Sequence, residues 1–340
     1  MEHLDPHQRP PDSIRNVYKK YQKKKWKELG QDEDIVDLTN PKSASSNNKV
    51  HVVNEYTAEE LATTFRAFAG KDDDLEHVDL PTSILVYEHE DLPGLHLVPS
   101  LLPPSIQTLL LSRLLHRDLS NPVHLTNIHT HYTLSYPPSS SSFFSTPPAS
   151  TVPVATPLSP TIHRPLTTSS LLSKRLRWIT LGGQYDWTAK RYPNTQTPAF
   201  PSDIKGLLED LFPRTEAAAA IVNLYSPGDT LSVHRDVAET SNTGLVSVSL
   251  GCDAIFVIGT SLREDMEEKS LTLRLGSGSA VYMSGSSRFA WHGVPQIVAG
   301  TCPDYLENWP GTTDGIGEYE EWKGWMAGKR VNLNVRQMWD

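Results

Sequence analysis

The feature that most constrains the fold is a change in the spacing of apolar residues near residue 221. Before it, apolar residues recur at helical spacing in stretches that begin near Thr57, Ser105 and Ser202. After it, they form short runs rich in Val and Ile and bounded by Gly, Ser and Pro, which is typical of strands. The predicted strands are residues 221–225, 245–250, 254–258, 271–275, 280–283 and 330–336. Because no long helices alternate with these runs, the sequence predicts an antiparallel jelly roll with flanking helices, an α+β fold with a mainly β core.

The N-terminal region, residues 1–50, is predicted to be a basic extension that carries an amphipathic helix. Between Arg15 and Lys27 there are seven basic residues and no acidic one, and apolar residues recur at helical spacing from Ile14 to Tyr21. Two interpretations are open. The helix could lie against a phosphate backbone, or it could dock by its apolar stripe and leave its lysines simply solvated.

Composition divides the remainder into three regions. Residues 51–136 are predicted to hold the N-terminal helices and the start of the main domain, and residues 171–340 are predicted to form its core. Between them, residues 137–170 contain 23 Ser, Thr or Pro residues out of 34, with Arg164 as the one fixed charge. Such a segment has few apolar groups to offset the entropy lost on ordering. It is therefore predicted to be a disordered insertion.

The overall composition limits the partners and the compartment. A net charge of −9 and a pI near 5.8 argue against binding of nucleic acid through bulk charge, so such a contact needs a local basic patch. The longest apolar run, residues 217–222, is far short of a membrane span. Two lone cysteines, Cys252 and Cys302, predict no disulfide and a reducing compartment. The chain is expected to be intracellular, with no membrane partner.

A pair of metal-ligating residue types recurs along the chain. His-x-Asp occurs five times, beginning at His3, His77, His89, His116 and His234. On a strand, residues two apart point the same way, so both side chains can bind one cation if a third ligand joins them. The first four pairs lie, in order, near the N-terminus, in an acidic run, in a charged stretch and at the end of a predicted helix. Each can be explained there without a metal ion. His234 and Asp236 stand just before the run of predicted strands, and His292 offers the third ligand.

Two neutral imidazoles and one carboxylate on one face of an octahedral ion leave three positions free. This arrangement, the facial triad, lets Fe(II) bind a chelating co-substrate and dioxygen together. Zinc hydrolases also use two histidines and a carboxylate, but the sequence has no HExxH motif. His234, Asp236 and His292 are therefore the predicted metal ligands and catalytic centre.

The run at residues 330–336 alternates polar and apolar side chains without a break. On a strand, one face would carry Arg330, Asn332, Asn334 and Arg336. Such a face could simply be solvated. Inside a barrel mouth, however, two guanidiniums need an anion, and a small dicarboxylate fits because each guanidinium can bind carboxylate oxygens through paired hydrogen bonds.

In their order and spacing, these residues resemble the motifs of the AlkB family of Fe(II)/2-oxoglutarate dioxygenases. The matching residues are Asn223 and Tyr225, His234 and Asp236, His292, and Arg330, Asn332 and Arg336. Further similarity lies at residues 176–182, 185–187 and 200–203. The resemblance covers about half of the chain, residues 176–337, and is strongest to the homologue 1 group of that family.

The resemblance implies a double-stranded β-helix core and a set of residue roles. Iron would be bound by His234, Asp236 and His292. 2-Oxoglutarate would be held by Asn223, Tyr225, Arg330, Asn332 and Arg336, with Arg330 at its distal carboxylate. The implied reaction consumes dioxygen (O2) and 2-oxoglutarate, releases succinate and CO2, and hydroxylates an N-methyl group, which leaves as formaldehyde.

The substrate implied by the resemblance is an N-methylated base in nucleic acid, either tRNA or DNA. Trp178 and Tyr185 match an aromatic lid of the family on which a base could stack. Two alternatives stay open: the same iron chemistry on a histone-like protein, and an RNA-binding module with an inert barrel. The protein is expected to be monomeric, and the nucleus or cytoplasm is favoured over the mitochondrion.

Overall fold

Strands make up most of the core in the computed structural model, which describes residues 4–40, 49–70, 82–186, 191–193, 196–260 and 268–339. The strands β1 to β16 are Ile35–Val36, Val50–Thr57, Ser83–His89, Leu95–Val98, Tyr132–Leu134, Pro153–Pro157, Leu166–Thr167, Trp178–Gly182, Ala219–Tyr225, Leu231–His234, Leu245–Gly251, Ala254–Thr260, Lys269–Leu275, Ala280–Met283, Trp291–Ile297 and Arg330–Arg336. The helices α1 to α7 are Asp12–Lys23, Trp26–Leu29, Ala58–Ala69, Pro104–Ser112, Thr168–Ser170, Ser202–Leu211 and Asp304–Glu307.

Two large sheets pack face to face. One has eight strands in the order β2-β3-β4-β14-β11-β16-β9-β8, and the other has five in the order β1-β13-β12-β15-β10. Their strand pairs are antiparallel except for β1 with β13. Leu97, Leu245 and Val281 of the first sheet share a buried cluster with Ile258 and Leu273 of the second. The arrangement confirms the predicted α+β fold with a mainly β jelly-roll core and flanking helices.

Helices cover the outer face of the eight-stranded sheet. Apolar side chains of α3, α4 and α6 share one buried cluster with Val331, Leu333 and Val335 of β16. Helix α3 begins at a capping box in which Thr57 and Glu60 each accept a hydrogen bond from the other's backbone amide. Because the apolar face of β16 is used here, its polar face must point between the sheets. Within the described ranges, no helix is both long and apolar enough to cross a membrane.

The basic N-terminal helix docks on the outer face of the five-stranded sheet. Ile14, Tyr18 and Tyr21 of α1 are buried. Ile14 and Tyr21 share an apolar cluster with Ile255 of β12 and Trp291 of β15. The apolar stripe therefore holds α1 against the strands of the core. Most lysines of α1 and α2 remain exposed to solvent, so docking by this stripe leaves them free to meet a partner.

Residues 137–170 are ordered, which contradicts the prediction of a disordered insertion. The segment contains a 3-10 turn, Phe143–Ser145, and the strands β6 and β7, which form a small sheet with β5. Phe143 and Phe144 are buried, and the Phe144 ring meets the rings of Trp309 and Trp322 edge-on, at 5.2 and 5.5 Å between centroids. The prediction used the average composition of the segment, in which these few apolar residues carry little weight. Their burial nevertheless orders the polar residues between them.

Candidate metal centre and co-substrate cavity

The two strands that carry the predicted histidines are neighbours in the five-stranded sheet. β10 and β15 pair antiparallel, and His234 lies directly opposite His292. A side chain at Gly293 would not fit, because its Cβ would lie 2.9 Å from the carbonyl oxygen of Leu231. The glycine thus lets the two backbones approach closely beside the histidines. Asp236 follows two residues after the end of β10.

The three predicted ligands converge. The Nε2 atoms of His234 and His292 are each 3.8 Å from a carboxylate oxygen of Asp236. The two imidazole centroids are 4.4 Å apart. Within the described part of the chain, this is the one group of three His, Cys, Asp or Glu residues whose ligand atoms, all within 4.8 Å of one another, could hold a metal ion. Two imidazole nitrogens and one carboxylate oxygen suit a divalent transition metal such as Fe(II).

Backbone carbonyls fix the orientation of both imidazoles. The Nδ1 atom of His234 lies 2.8 Å from the carbonyl oxygen of Ser232, and that of His292 lies 3.0 Å from the carbonyl oxygen of Ala290. When Nδ1 donates its proton to the carbonyl, Nε2 keeps its lone pair for a metal. Both rings therefore turn their ligand atoms toward Asp236.

The charges around the centre favour the protonation states that a metal requires. Burial alone would raise the pKa of Asp236, but Arg336 and the two imidazoles outweigh it and hold this pKa well below its usual range. Burial, reinforced by His234, lowers the pKa of His292 to about 4. At neutral pH the centre therefore offers an ionised carboxylate and, at His292, a neutral imidazole.

Arg330 is buried at the start of β16, with an exposed fraction of 2%. Its Nη1 atom donates to the carbonyl oxygens of Cys252 and Leu275 at 3.0 and 3.1 Å, and Nη2 donates to the Ser249 hydroxyl at 2.6 Å. Burial lowers the pKa of this guanidinium to about 10. Its Nε atom is buried without a hydrogen-bond partner, and so is the hydroxyl of Tyr225, the residue opposite Arg330 in the sheet.

Arg336, at the other end of β16, belongs to a buried network of charges. Its guanidinium lies 3.1 Å from Oδ2 of Asp236 and 3.1 Å from Oε1 of Glu239. Glu239 is in turn 3.1 Å from the guanidinium of Arg288. Arg288 also donates to the carbonyl oxygens of Asp236 and Thr243, at 3.0 and 2.8 Å. The network therefore fixes the segment that follows Asp236.

A cavity of about 440 Å³ opens between the two sheets and connects these groups. The candidate residues that line it are Asn223, His234, Asp236, His292, Arg330, Asn332 and Arg336, together with Asn334. Tyr225, the neighbour of Arg330 in the sheet, is not among the lining residues. Tyr185 also lines the cavity. Trp178 is not among the lining residues, and it lies on β8 opposite Asn223. Of the two predicted substrate residues, the structure therefore brings Tyr185 to the cavity and leaves Trp178 outside it. Trp187, in the matching segment 185–187, lies outside the described residues.

A protein-family model matches most of the sequence. The model for the 2OG-Fe(II) oxygenase superfamily, where 2OG denotes 2-oxoglutarate, matches residues 94–336 and so includes every candidate metal and co-substrate residue. The chain belongs to this superfamily.

Relatives place the oxygenase in the AlkB family, close to ALKBH1. The "N6-methyladenosine RNA demethylase ALKB1" of Pyricularia oryzae is 45% identical over 98% of both chains. The "N6-methyladenosine RNA demethylase ALKBH" of Cryphonectria parasitica is 52% identical over 63% of this chain and 100% of its own. The "tRNA demethylase abh1" of Schizosaccharomyces pombe is 38% identical over 74% of this chain and 82% of its own. The family assigned from the motifs is thus confirmed.

The residues of this oxygenase fit both groups after which the superfamily is named. For Fe(II), the fit lies in the donor set and in the two imidazoles that the backbone holds with Nε2 free. For 2-oxoglutarate, it lies in the Nε atom of Arg330 and the hydroxyl of Tyr225, which are buried and have no partner. A buried donor without a partner destabilises a fold by about 1 to 3 kcal/mol. A carboxylate that accepts hydrogen bonds from these donors would remove that cost.

Sequence analysis missed three residues of the site. Arg288 and Tyr192 were not identified, although Tyr192 accepts a hydrogen bond from Nη1 of Arg336 at 3.1 Å. Neither belongs to a motif, and a single buried Arg or Tyr gives no pattern that periodicity can detect. Asn334 lines the cavity but was not assigned a role. Its signal was present, because the alternation of residues 330–336 already placed it on the polar face.

Proposed function

We propose that this oxygenase removes N-methyl groups from bases in nucleic acid, using Fe(II), 2-oxoglutarate and dioxygen. Iron would be held by His234, Asp236 and His292. 2-Oxoglutarate would be held by Asn223, Tyr225, Arg330, Asn332 and Arg336. The observation that carries the proposal is the convergence of the three ligand side chains in one cavity with two buried guanidiniums.

Each of the two arginines is proposed to bind a different end of 2-oxoglutarate. Arg336 contacts Asp236, so it serves the end of 2-oxoglutarate that chelates the metal. Arg330 lies at the opposite end of β16, where it serves the distal carboxylate together with the Tyr225 hydroxyl. Burial raises the pKa of Tyr225 above its usual range, so its hydroxyl keeps the proton that it donates. A planar guanidinium matches a carboxylate through paired hydrogen bonds.

The proposed reaction balances in atoms and electrons. Iron held by His234, Asp236 and His292 would supply the activation of dioxygen. In the overall reaction one oxygen atom ends in succinate, with release of CO2, and the other is inserted into a C–H bond of the methyl group. The N-hydroxymethyl product then loses formaldehyde. Its N–C bond breaks, and the nitrogen keeps the electron pair and receives the hydroxyl proton. The chain contributes by holding the reacting groups in position.

On the substrate side, Tyr185 offers a flat surface at the cavity. Its ring meets that of Tyr192 edge-on, with 5.2 Å between centroids, which limits its rotation. Burial raises the pKa of Tyr185 to about 12, so its hydroxyl stays neutral. Stacking of a base on such a ring contributes roughly 1 to 3 kcal/mol without reading the base. A base turned out of its strand could therefore rest there. The relatives named for RNA and tRNA demethylation favour RNA as the polymer over DNA.

The proposal is tested by measuring formaldehyde and succinate with three substrates: N-methylated RNA, N-methylated DNA and a methylated histone peptide. We expect stoichiometric products with methylated nucleic acid, and greater turnover with RNA than with DNA. His234→Ala should abolish both products, which separates turnover from binding. Turnover of the peptide alone would contradict the proposal and identify a protein as the substrate. Binding of nucleic acid without succinate formation from any substrate would also contradict the proposal, and would indicate a binding module that has no catalytic activity.

Removing the Arg330 guanidinium should weaken co-substrate binding selectively. In Arg330→Met the affinity for 2-oxoglutarate should fall by about 10- to 100-fold, because hydrogen bonds to a charged group contribute about 1.5 to 3 kcal/mol. Calorimetric titration with Mn(II) in place of iron measures this affinity without turnover. Metal affinity should be unchanged, since Arg330 bonds to Cys252, Leu275 and Ser249 and to none of the ligands. Arg274→Met, which removes a cation paired with Asp253, is the matched control. Equal 2-oxoglutarate affinity in both variants would exclude the proposed role.

The exposed lysines next to α1 are expected to meet the phosphate backbone. Lys25 and Lys27 line a groove beside Trp26, which is 61% exposed. In Lys25→Ala/Lys27→Ala, the slope of log affinity against log salt concentration should become shallower by about two, or one for each lost phosphate contact. Titrations at several salt concentrations measure the slope. Lys205→Ala, on the far side of the eight-stranded sheet, should leave this slope unchanged. An equal change of the slope in Lys205→Ala would indicate that binding depends only on the net charge of the protein.

A further inference from the structure

The two cysteines of the chain lie on neighbouring segments at one end of the five-stranded sheet. Cys252 precedes β12, and Cys302 lies in the loop after β15. Ala254 is paired with Ile297, the Val298 amide donates to the Asp253 carbonyl at 2.9 Å, and the Asp253 amide donates to the Thr301 hydroxyl at 2.8 Å. The segment that follows Cys252 is therefore tied to the segment that precedes Cys302.

The two cysteines share one apolar cluster, and each thiol also lies near a backbone carbonyl, that of Ala327 at 3.5 Å for Cys252 and that of Pro303 at 3.8 Å for Cys302. The buried members of the cluster are Tyr225, Cys252, Ala254, Val294 and Ile297, and Cys302 packs against them. The neighbouring Cys302 thiol lowers the pKa of Cys252 to about 7, and the Cys252 thiol raises the pKa of Cys302. Cys252 is fully buried, whereas Cys302 is partly exposed to solvent. A small oxidant can therefore reach the pair from the Cys302 side.

The backbone of Cys252 is part of the setting of Arg330. Its carbonyl oxygen accepts a hydrogen bond from Nη1 of Arg330 at 3.0 Å. Its amide donates to the carbonyl oxygen of Lys329, the residue just before Arg330, at 2.8 Å. A displacement of the Cys252 sulfur can therefore move the Cys252 backbone, which is bonded directly to the guanidinium proposed to hold 2-oxoglutarate. Tyr225, the other proposed donor, belongs to the same cluster as Cys252.

We propose that Cys252 and Cys302 form a dithiol that a peroxide oxidises to an intramolecular disulfide, and that this disulfide weakens 2-oxoglutarate binding at Arg330. The second part rests on the proposed function. Formation of the S–S bond draws the two segments together, and the backbone of Cys252 on one of them is hydrogen-bonded to Arg330 and Lys329. The spacing of these cysteines along the sequence forms no motif, so no disulfide was predicted. Their proximity arises from the pairing of β12 with β15.

The chemistry needs hydrogen peroxide and no other reactant. A thiolate of the pair attacks one peroxide oxygen, the O–O bond breaks, and a sulfenic acid and water form. The second thiol attacks that sulfur, the S–O bond breaks, and a second water leaves with the remaining protons. Two thiols lose two electrons in total and one peroxide gains them.

The first test follows the bond itself, in iron-free protein so that metal-driven oxidation does not contribute. The full chain is treated with hydrogen peroxide, free thiols are blocked with N-ethylmaleimide, and intact mass and peptide maps are recorded. We expect the loss of two hydrogen atoms, a peptide linking Cys252 to Cys302, and recovery of both thiols with dithiothreitol. Cys302→Ser and Cys302→Ala should give no such loss. Two free thiols after treatment, or an over-oxidised Cys302 without the link, would overturn the proposal.

The second test follows the consequence. After removal of the peroxide, 2-oxoglutarate affinity is measured with Mn(II) in the reduced, oxidised and re-reduced protein. We expect binding at least about fivefold weaker in the oxidised form, restored on reduction, and absence of this change in Cys302→Ser, because small displacements of a positioning group are costly. A disulfide that leaves the affinity unchanged would overturn the regulatory step. If the reduced protein failed to bind 2-oxoglutarate, the proposed function itself would fail, while the mass measurement would still report on the disulfide.

Discussion

Replacing Asp236 with asparagine is expected to reduce succinate formation by more than about a hundredfold. This carboxylate lies 3.8 Å from the Nε2 atoms of both His234 and His292 and 3.1 Å from Arg336, so it serves the metal and the buried guanidinium at once. Asparagine keeps the shape but loses the negative charge that both need. Changes to residues that merely orient a ligand cost about 10- to 100-fold in metal affinity or activity. Loss of a ligand itself should exceed that range.

Succinate formation at saturating 2-oxoglutarate and Fe(II), together with the Fe(II) affinity, measures the effect of Asp236→Asn. Asp34→Asn is the matched control, because Asp34 is exposed and pairs with Lys20 at 2.6 Å on the outer side of the five-stranded sheet. It should retain activity within about twofold, as expected for an exposed ion pair. Circular dichroism distinguishes loss of the centre from loss of the fold. Near-normal succinate formation by Asp236→Asn would remove Asp236 from the centre.

Periodicity predicted the strands of the core well where side chains alternate or apolar runs are unbroken. β14 and β16 have the predicted bounds, and β9, β11, β12 and β13 extend the predicted ones by a few residues. The strands that carry the histidines were not predicted. β15 contains Gly293 and Pro295, which local preference disfavours in strands, and β10 has only four residues. Both are strands because of their partners in the sheet, which local sequence does not reveal.

The metal ligands could nevertheless be predicted, because their assignment used residue chemistry and order along the chain. It did not depend on secondary structure. His234 and Asp236 lie two apart, and His292 follows at the distance typical of the family that the motifs resemble. Trp178, by contrast, was assigned only through the family resemblance, and it lies outside the cavity, on the edge strand β8. An aromatic residue that begins a strand can point to either face, and the motif does not say which.

The site residues that could not be predicted act through contacts between distant segments. Arg288, which was not predicted, pairs with Glu239, and Glu239 pairs with the predicted Arg336, because the turn before β15, the loop after Asp236 and the end of β16 meet beside the cavity. No spacing rule connects these positions. The same is true of residues 137–170, where Phe143 and Phe144 are buried by packing against the C-terminal region. In both cases the signal lies in tertiary packing.

The buried network predicts a large effect on stability. Arg288→Met is expected to lower the free energy of unfolding by about 3 to 5 kcal/mol, because removing one member of a buried ion pair leaves an uncompensated charge. Arg288 is 1% exposed, and it pairs with Glu239 and donates to the carbonyl oxygens of Asp236 and Thr243. Methionine fills much of the volume but satisfies none of these acceptors. Urea unfolding measures the change.

Two further variants decide whether the loss comes from the network. Arg177→Met removes an exposed cation paired with Asp229 and should cost no more than about 1 kcal/mol. Arg288→Met/Glu239→Gln should be less destabilised than the sum of its single variants, since the second change removes the charge that the first leaves unpaired. Additive losses, or an Arg288→Met variant as stable as Arg177→Met, would contradict this account. Because Arg288 also holds the backbone of Asp236, its removal should weaken metal binding in protein that is still folded, so stability and the metal centre depend on the same buried arginine.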